Sequence, residues 1–492
     1  MSLSTEEEAA LRDLRAALWS AGYGLDRIAE ALGVEADSVS VPPGDVPVID
    51  RQLPKGEPLP TLMRLFLMAM PVASDEADGA LAAASSERLV AAGLLERVGD
   101  SVQALFRIVP HRDVLVVVDR EHEFSADLEP DHVMGITPST SMLSDLTPRT
   151  PVGTTLDLCC GSGLQALLAA RHSGNVVATD INARALRFGE IGARLNGLDN
   201  IEMRQGDLFE PVGEETFDLV VANPPFVISP DSAYSYRDSG LEGDEISRRV
   251  VDGAAARLRE GGLAVVMVGW AHGREQAWDE PLRPWVEGLG CDVWLLRHSS
   301  ADPLDYAVGF NRPLAPLDPQ GYSDAIDRWL DYDQRLGIEA IGYGAIVLRK
   351  RSGDNWLRAD TLHSGVEAPA GELVARMIAT QDVLEAAGDD EGLLDLVLRS
   401  NPHHRLEQML RPDGAGYAVH GAGVILEEGM SFRAAVDVHA VQILLHLDGK
   451  RTLREALEMA RAEVEPAMTP EDFAKASLRP VRRMVELGFA LP

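Results

Sequence analysis

Four strand-like segments between residues 153 and 223, three of them largely apolar, each end in polar residues or glycine, and this alternation most constrains the fold of the chain. Each segment is short enough to be a buried strand, and helix-like stretches separate them. The pattern continues to about residue 351 and predicts a mainly parallel α/β domain. In an open sheet of that kind, ligands bind beyond the carboxyl ends of the strands, so the residues that follow each segment form the candidate site.

We predict seven strands in this domain, followed along the chain by a further unit. The strands are Thr155–Cys159, Val176–Thr179, Ile201–Gln205, Leu219–Asn223, Ala264–Gly269, Val293–Arg297 and Ala345–Arg349. A Pro-containing insertion, from about Ser299 to Gly342, separates the last two strands. It is too long for a plain turn, and we expect it to help cover an active site.

The fourth segment ends at Ala222 and is followed by Asn223-Pro224-Pro225-Phe226. The side-chain oxygen of Asn223 and the carbonyl of Pro224 can both accept hydrogen bonds from an NH2 group, and the prolines hold that carbonyl in a stiff, extended geometry. Phe226 can stack on the flat group that carries the nitrogen. This set of groups is typical of methyl transfer to a planar nitrogen. For an isolated Asn-Pro-Pro, the alternative is a proline-rich loop with an Asn turn signal.

The first segment ends in a glycine loop, Asp157-Leu158-Cys159-Cys160-Gly161-Ser162-Gly163, which opens a helix. Glycines let the backbone turn sharply and approach a ligand without a Cβ clash, so Asp157, Cys159, Gly161 and Gly163 are candidate cofactor residues. The loop also fits the dinucleotide pattern Gly-x-Gly-x-x-Ala. Taken alone, it serves NAD as well as S-adenosylmethionine.

The second segment ends at Asp180 and is followed by Ile181-Asn182. A carboxylate at this place can accept both hydroxyls of a ribose, which again suits either cofactor. Ile181 and Asn182 join Asp180 as candidate cofactor residues. The alternative for Asp180 is an N-cap of the next helix.

The third segment ends in Gly206-Asp207-Leu208-Phe209. Asp207 can accept a hydrogen bond from an adenine N6 amino group, and Leu208 or Phe209 can cover the ring. A turn residue is the alternative for Asp207. Because four consecutive strands bring polar groups to one edge of the sheet, their joint order indicates a single cofactor and substrate site.

The order of Asp157–Gly163, Asp180–Asn182, Gly206–Phe209 and Asn223–Phe226 resembles that of the class I S-adenosylmethionine-dependent methyltransferases. Within them it is similar to the branch that contains release-factor glutamine methyltransferases and ribosomal-RNA guanine-N2 and adenine-N6 methyltransferases. The resemblance covers roughly Asp131–Arg351. It implies S-adenosyl-L-methionine as the cofactor, a Rossmann-like seven-stranded sheet, and an in-line attack of the substrate nitrogen on the methyl carbon.

Two residues depart from the pattern of these relatives. Cys159 stands where many of them have glycine. Phe226 stands where release-factor enzymes usually carry tyrosine, whereas phenylalanine is frequent in the RNA branch. In contrast, the stretch from Tyr236 to Asp244 resembles the segment that follows the motif in the glutamine enzymes, so the substrate class stays open at the level of sequence.

Our first hypothesis is an N-methyltransferase that acts on a planar amide or amine of a protein, a peptide or a small molecule. The alternative is the same chemistry on an RNA or DNA base, which would have to be flipped into the pocket. The net charge of −33 disfavours nucleic acid, because that binding depends on Lys and Arg, although a local basic patch would override the mean. A third hypothesis, an NAD-dependent oxidoreductase, would give the Asn223–Phe226 motif no role. A fourth hypothesis is a non-catalytic scaffold that only binds the cofactor, and the intact Asn223–Phe226 motif argues against it.

We expect three domains, at residues 1–120, 121–351 and 352–492. The first is a helical unit that ends in a hairpin and the last is mostly helical, and both have winged-helix-like features. Such modules bind DNA or dock proteins, and the acidity of the chain favours docking. Pro138, Ser139 and Thr140, just ahead of the first strand, can reach the cofactor's methionine end or the substrate.

The three cysteines, two of them adjacent, suit neither a disulfide framework nor a zinc site, and we predict no metal. No segment is apolar and long enough to predict a membrane span. The polar, acidic first residues lack the features of a secretory signal, so the expected compartment is a reducing cytoplasm. Tyr234, Tyr236 and Arg237 lie in a candidate lid, with solvated loop residues as the alternative. The oligomeric state is not predicted.

Overall fold

The computed structural model describes residues 3–36, 39, 41–120, 129–232, 237–362, 370–414 and 416–492. The chain divides into two compact units. The larger consists of Met1–Ser144 with Thr150–Asp360, and the smaller consists of Asp145–Arg149 with Thr361–Pro492.

The larger unit is built on an eight-stranded sheet. Its strands are β1 (Val152–Leu158), β2 (Ser173–Asp180), β3 (Ile201–Gln205), β4 (Phe217–Ala222), β5 (Leu258–His272), β6 (Cys291–Ala301), β7 (Ala340–Lys350) and β8 (Leu357–Thr361). Across the sheet they follow the order β3-β2-β1-β4-β5-β7-β6-β8. Strands β1 to β5 are parallel, and β7 is antiparallel to both β5 and β6. The predicted α/β, Rossmann-like, mainly parallel sheet is therefore present.

The sheet has one strand more than the seven predicted. Strand β8 lies beyond Arg351, where the prediction ended the domain, and it flanks β6 at the edge. Its sequence lacks an apolar run, and it contains Arg358 and Asp360, which form an ion pair within the strand. Trp294 on β6 donates a hydrogen bond from Nε1 to the buried Asp360 carboxylate at 2.7 Å. An ion pair and an indole contact therefore replace the hydrophobic pattern on which the prediction depended.

Helices cover the sheet and connect its strands. Those that bear on the site are α1 (Pro138–Leu146), α2 (Leu164–Ala169) and α3 (Ala183–Asn196). Others are Glu245–Ala256, Arg283–Val286, Pro303–Asn311 and Pro319–Leu336. Helix α3 begins where the Asn182 side chain accepts from the backbone of residues 184 and 185, and it ends at Gly197 with a φ of 66°.

The N-terminal part of the larger unit combines short helices with a three-stranded sheet and a separate hairpin. The helices are Thr5–Ala21, Leu25–Leu32, Val46–Gln52, Pro58–Leu62, Ser74–Leu81 and Ser86–Ala91, with a π-helical turn at Met63–Leu67. The sheet strands are Val72–Ala73, Leu95–Val98 and Ser101–Ala104, and the hairpin pairs Arg107–His111 with Val114–Val118. Ser101–Ala104 and Arg107–His111 therefore lie in different sheets although two residues separate them in sequence.

The apolar core of this N-terminal part includes four buried side chains of α3. They are Ala185, Phe188, Ile191 and Leu195. The N-terminal helices therefore pack directly on a helix that follows β2 of the central sheet. The domain boundary near residue 120 stays a prediction.

The smaller unit contains more strand than the prediction of a mostly helical domain allowed. Its helices are Gly371–Ala387, Asp390–Asp395, Val438–His446, Leu453–Val464 and Pro470–Glu486. One sheet joins Asp448–Thr452, Val397–Ser400 and Ala490–Leu491, and another joins His404–Asp413, Gly416–Leu426 and Arg433–Val436. The hairpin from residue 404 to 426 was missed because most of its residues are exposed on both faces, so it has no alternation of buried and exposed positions.

Among the described residues, no helix combines the length and the hydropathy needed to span a bilayer. All three cysteines are free thiols. Within the described part of the chain, no group of three or more His, Cys, Asp or Glu side chains could hold a metal ion.

Candidate functional site

The strand order reverses between β1 and β4, which is where an open sheet forms a crevice. Leu158 at the end of β1 pairs with Thr179 of β2 on one side and with Ala222 of β4 on the other. The residues that follow each of these strands are therefore neighbours. They line a cavity of about 770 Å³, within the range of small-molecule sites.

The structure brings the predicted site residues to this one cavity, except Gly163 and Phe209. Its lining includes Asp157, Cys159, Gly161, Asp180, Ile181, Asn182, Asp207, Leu208, Asn223, Pro224, Pro225 and Phe226. Gly163 is not part of the lining, but it turns the backbone into α2 with a φ of 78°. A Cβ atom there would lie 3.3 Å from the Cα of Gly189, so this position also serves the packing of α2 against α3.

Cys159 adopts a backbone conformation that favours glycine. Its φ is 57°, in the left-handed region, and Gly161 follows with a φ of 51°. This conformation explains why glycine is common at the position in the resembling enzymes. The Cys159 side chain is only partly buried, so it lines the cavity without closing it.

The carboxylates of the site are mostly engaged by backbone N–H groups. Asp157 is fully buried and accepts from the N–H of Ala166 in α2 at 2.8 Å, and burial raises its pKa to about 8. Asp180 accepts from Gly161 N–H at 2.8 Å and from Asn182 N–H at 2.9 Å. Burial raises the pKa of Asp180, and these hydrogen bonds oppose the shift. Asp157 thus fixes the helix start, while each oxygen of Asp180 keeps a lone pair for a ligand.

The predicted adenine side of the site is more open. Asp207 is exposed, and Leu208 is half-buried with a φ of 44°. Ile181 is 59% exposed although it is a large apolar residue, which suits a side chain that a flat ring would cover. The Asn182 side chain is already used, because its Oδ1 caps α3 and its Nδ2 donates to the carbonyl of Asp131 at 2.8 Å.

Within the described part of the chain, the Asn223 carboxamide is held by one end only. Its Nδ2 lies 3.3 Å from Ser139 Oγ and 3.4 Å from Thr140 Oγ1, and it donates to both. Its Oδ1 is buried and has no hydrogen-bond partner among the described residues. The carbonyl of Pro224 accepts from Phe226 N–H at 2.7 Å, which leaves its second lone pair for a further donor.

The Phe226 ring already has a protein partner on one face. It stacks on Tyr343 of β7, with ring centroids 5.2 Å apart and an interplanar angle of 24°. Only its other face remains for a flat substrate. Tyr343 lines the cavity as well, and sequence reasoning missed it because its strand is antiparallel and distant in sequence from the motif.

The insertion between β6 and β7 contributes to the cavity, in agreement with the predicted covering role. Phe310 and Pro313 line the cavity from its helices. The insertion is also tied to the loop after the motif, since Tyr306 Oη accepts from Ile228 N–H at 3.1 Å and Trp329 Nε1 donates to Asp231 at 2.9 Å. Its run of aromatic residues was the sequence signal that could have identified this wall.

Two further lining residues have clear partners. Arg237 donates from Nε to Asp238 Oδ1 at 2.7 Å. Gln165 of α2 donates from Nε2 to the carbonyl of Thr140 at 2.9 Å, and its buried Oε1 has no partner among the described residues. Gln165 was not among the predicted site residues. Tyr234 and Tyr236 lie outside the described residues.

Negative charge predominates in the described lining. It contains the carboxylates of Asp180, Asp207 and Asp238 but the guanidinium of Arg237 alone, while the buried Asp157, with its raised pKa, adds little charge. The basic stripe that a nucleic-acid acceptor would require is therefore absent from the described lining.

The family described as "Methyltransferase small domain" matches residues 135–280, which include all of the glycine loop, the Asp180 and Asp207 turns and the Asn223 motif. The resemblance to class I methyltransferases is confirmed for this segment. Two families described as domains of unknown function, DUF7059 and DUF7782, match residues 20–105 and 375–492.

Curated relatives match the same part of the chain. The ribosomal protein uL3 glutamine methyltransferase of Bradyrhizobium diazoefficiens is 35% identical over 139 residues, covering 26% of this chain and 43% of that protein. The release factor glutamine methyltransferase of Xylella fastidiosa is 37% identical over 129 residues, covering 24% of this chain and 47% of that protein. The chain thus spans about half the length of the curated relatives it matches.

Solved structures give a weaker likeness. A tRNA m1G37 methyltransferase of M. jannaschii is 14% identical with a TM-score of 0.31, covering 51% of this chain and 58% of that one. A geranyl diphosphate methyltransferase in complex with SAM is 19% identical with a TM-score of 0.29, covering 43% of this chain and 84% of that one. Similarity at this level carries no argument about the site.

The lining residues fit S-adenosylmethionine. The glycine loop lets the backbone approach a ligand, and Asp180 retains acceptor capacity where a ribose would lie. Ile181 offers an exposed apolar surface for a ring, and the lining carboxylates complement a sulfonium cation.

Proposed function

We propose that this protein is an S-adenosylmethionine-dependent N-methyltransferase whose acceptor is a glutamine side-chain amide in a protein. The observation that carries the proposal is the Asn223 Oδ1 atom, a buried acceptor without a partner among the described residues, beside the glycine loop. A buried acceptor in that state costs about 1–3 kcal/mol. An N–H group of the acceptor amide would remove this cost.

The Asn223 motif supports the chemistry as follows. Bound S-adenosylmethionine supplies an electrophilic methyl group. Asn223 Oδ1 and the second lone pair of the Pro224 carbonyl accept the two N–H bonds of the amide and turn its lone pair towards the methyl carbon. Amide nitrogens are poor nucleophiles because the lone pair is delocalised. Two acceptors favour a more pyramidal nitrogen, so their interactions are stronger in the transition state than in the ground state.

As the new N–CH3 bond formed, the S–CH3 bond would break and leave S-adenosylhomocysteine. The methylated nitrogen is acidic and would lose its proton to water, so a strong general base is not required in this scheme. Most of the rate enhancement then comes from positioning and from exclusion of water. The stacked pair of Phe226 and Tyr343 and the insertion residue Phe310 provide an apolar wall for that purpose.

Two observations favour a protein amide over a nucleic-acid base as the acceptor. The described lining is rich in carboxylates, and the chain as a whole carries a net charge of −33, so a polyanion would be repelled. The curated relatives are named for glutamine methylation of ribosomal protein uL3 and of release factors. An acceptor in the translation machinery would also agree with a cytoplasmic location.

We further propose that the two flanking parts are winged-helix-like modules that dock the protein acceptor. The first combines helices with one small three-stranded sheet, and the last combines helices with two such sheets. Hydrogen exchange of the full chain, with and without the acceptor, tests this proposal. Protection over residues 95–104 or 448–491 is expected. Unchanged exchange in both segments would leave the modules without a docking role.

The central experiment is methyl transfer from radiolabelled S-adenosylmethionine. Recombinant uL3 and release factors from the same organism, purified without methylation, are offered beside ribosomal RNA and free glutamine. Label in a protein, mapped to a glutamine by mass spectrometry, is the expected result. Label confined to RNA would instead support the base-methylating alternative. If none of these acceptors is labelled, native extract separated into protein, RNA and small-molecule fractions identifies the acceptor class.

A further inference from the structure

Three hydroxyl groups next to Asn223 form a connected cluster at the start of α1. Thr137 Oγ1 lies 2.9 Å from Ser139 Oγ and 2.8 Å from Thr140 Oγ1, and it also accepts from the N–H of Thr140 at 3.3 Å. Ser139 and Thr140 in turn accept from Asn223 Nδ2. Gln165 fixes the segment from the other side through its hydrogen bond to the Thr140 carbonyl. The cluster therefore connects the beginning of a helix to the end of β4.

Counting protons shows which way the Asn223 carboxamide faces. The three hydroxyls own three protons, and the two contacts within the cluster use two of them. One proton remains for Asn223. If the carboxamide were rotated by a half turn, Oδ1 would face two hydroxyls and receive at most one hydrogen bond. In the observed orientation Nδ2 donates to both hydroxyls, so the cluster stabilises this orientation.

The orientation decides what the cavity presents to a ligand. As observed, the free end of Asn223 is an acceptor, which matches the N–H groups of an amide. In the rotated carboxamide the free end would be a donor, which would oppose those N–H groups. The rotational state of the Asn223 carboxamide therefore decides whether the site can accept hydrogen bonds from a substrate amide.

We propose that Ser139 and Thr140 are positioning residues, whose hydroxyls hold the Asn223 carboxamide with Oδ1 available to the methyl-accepting nitrogen. This inference rests on the proposed N-methyltransferase function and adds the device that sets the polarity of its acceptor site. In this role the hydroxyls act through Asn223, with which both are in hydrogen-bond contact.

Helix capping is the competing explanation for the same residues. Thr137 accepts from the N–H of Thr140 three residues later, as an N-cap does, and Pro138 occupies the first helical position. Capping accounts for the Thr137 hydroxyl. It does not account for the two contacts to Asn223, which connect different elements 83 and 84 residues apart. The test must therefore separate an effect on helix stability from an effect on Asn223.

The test uses the full chain with hydroxyl-free and hydroxyl-retaining variants. Ser139→Ala combined with Thr140→Val removes both contacts to Asn223, whereas Ser139→Thr and Thr140→Ser each retain a hydroxyl. Ser141→Ala, on the same helix but outside the cavity lining, is the matched control. The hydroxyl-free variant should lose about 10- to 100-fold in kcat, because a misplaced reacting group costs that much. Cofactor affinity should be unchanged, and the hydroxyl-retaining variants should recover most of the rate.

A double-mutant cycle with Asn223→Ala shows whether the hydroxyls act through that residue. Without Asn223 there is no carboxamide to orient, so removal of the hydroxyls should have no further effect on kcat. An equal loss in the presence and absence of Asn223 would overturn the proposal in favour of a helix-capping role. Full kcat in the hydroxyl-free variant would overturn it as well.

A readout that does not depend on turnover distinguishes failure of this inference from failure of the proposed function. In protein labelled with ¹⁵N-asparagine, the Asn223 side-chain amide signal is assigned by its loss in Asn223→Ala. Its hydrogen exchange should be at least about tenfold faster in the hydroxyl-free variant, because two hydrogen bonds are removed. Unchanged exchange would refute the orienting role. Faster exchange in a protein that methylates none of the amide acceptors would support that role while the proposed function fails.

Discussion

Gly269 of β5 lets the central sheet approach the Asn223 motif, and we predict that Gly269→Ala impairs turnover more than cofactor binding. A Cβ atom at this position would lie 2.6 Å from the carbonyl oxygen of Phe226, whereas ordinary contact begins at 3.4 Å. The shortfall, 3.4 less 2.6, is 0.8 Å. Strand β5 is paired on both sides, with β4 and with β7, so the motif loop is the part that must move.

A shift of this size in the motif has a calculable consequence. Misplacement of a reacting group by about 1 Å costs about 100-fold in rate, so kcat should fall by about 10- to 100-fold. Overpacking of a well-packed site should lower the free energy of unfolding by about 1–3 kcal/mol. Cofactor affinity should change little, because the glycine loop and Asp180 lie on other strands.

The assay compares initial rates of methyl transfer to the acceptor found by fractionation, cofactor affinity by calorimetry and urea unfolding. Gly273→Ala is the matched control, because a Cβ atom there would meet its nearest neighbour at 3.6 Å, an ordinary contact. Wild-type kcat and stability in Gly269→Ala would refute the argument that this close approach positions the motif.

Three further predictions concern Asn223, Asp180 and Asp157. Asn223→Ala should retain cofactor affinity in a calorimetric titration and lose most turnover; unchanged kcat would remove its assigned role. Asp180→Ala should weaken cofactor affinity, since it removes the proposed ribose acceptor and the support of Gly161 N–H, and unaltered calorimetric affinity would contradict this. Burial raises the pKa of Asp157 to about 8 from the ordinary 3.8, so the folded state retains a proton that the unfolded state has lost, and stability should fall as pH rises between these values. Asp157→Asn should flatten that fall by up to about 1.4 kcal/mol per pH unit in unfolding free energies measured from about pH 5 to about pH 7, and identical slopes would show that this carboxyl does not titrate as assigned.

The parts of the fold that the sequence predicts are those in which local pattern and burial agree. Strand β4 is apolar along nearly its whole length and buried, as a central parallel strand must be, and its end delivers Asn223 to the cavity. The turns after β1, β2 and β3 follow the same logic, because parallel strands place their carboxyl ends on one edge. Topology therefore converts sequence order into spatial proximity.

The parts that the sequence did not predict depend on contacts between distant residues. Strand β8 is held by the pairing of Asp360 with Arg358 and Trp294, which no local pattern shows. Tyr343 reaches Phe226 only because β7 runs antiparallel next to β5.

The roles of individual side chains within the predicted site were also beyond a reading of sequence. Asn182 was predicted to contact the cofactor, yet both ends of its carboxamide are bound by the protein. Asn223 has the same side chain, but only its Nδ2 is bound, and its Oδ1 has no partner among the residues that the structure describes. Because the two carboxamides differ only in the neighbours that the fold supplies, residue type alone cannot distinguish a capping amide from one that is available to a ligand.

The contrast between these two carboxamides also explains why Asn223 requires hydroxyl neighbours. A carboxamide can rotate by a half turn unless one of its ends is fixed by a hydrogen bond. The oxygen end accepts hydrogen bonds and the NH2 end donates them, but the two ends have nearly the same shape. Backbone N–H groups fix the Oδ1 of Asn182, which commits that residue to capping. Hydroxyl oxygens fix the Nδ2 of Asn223, which leaves an oxygen for the ligand. The polarity of the acceptor site is therefore set by the residues behind Asn223, and these lie in a segment that precedes the first strand of the sheet.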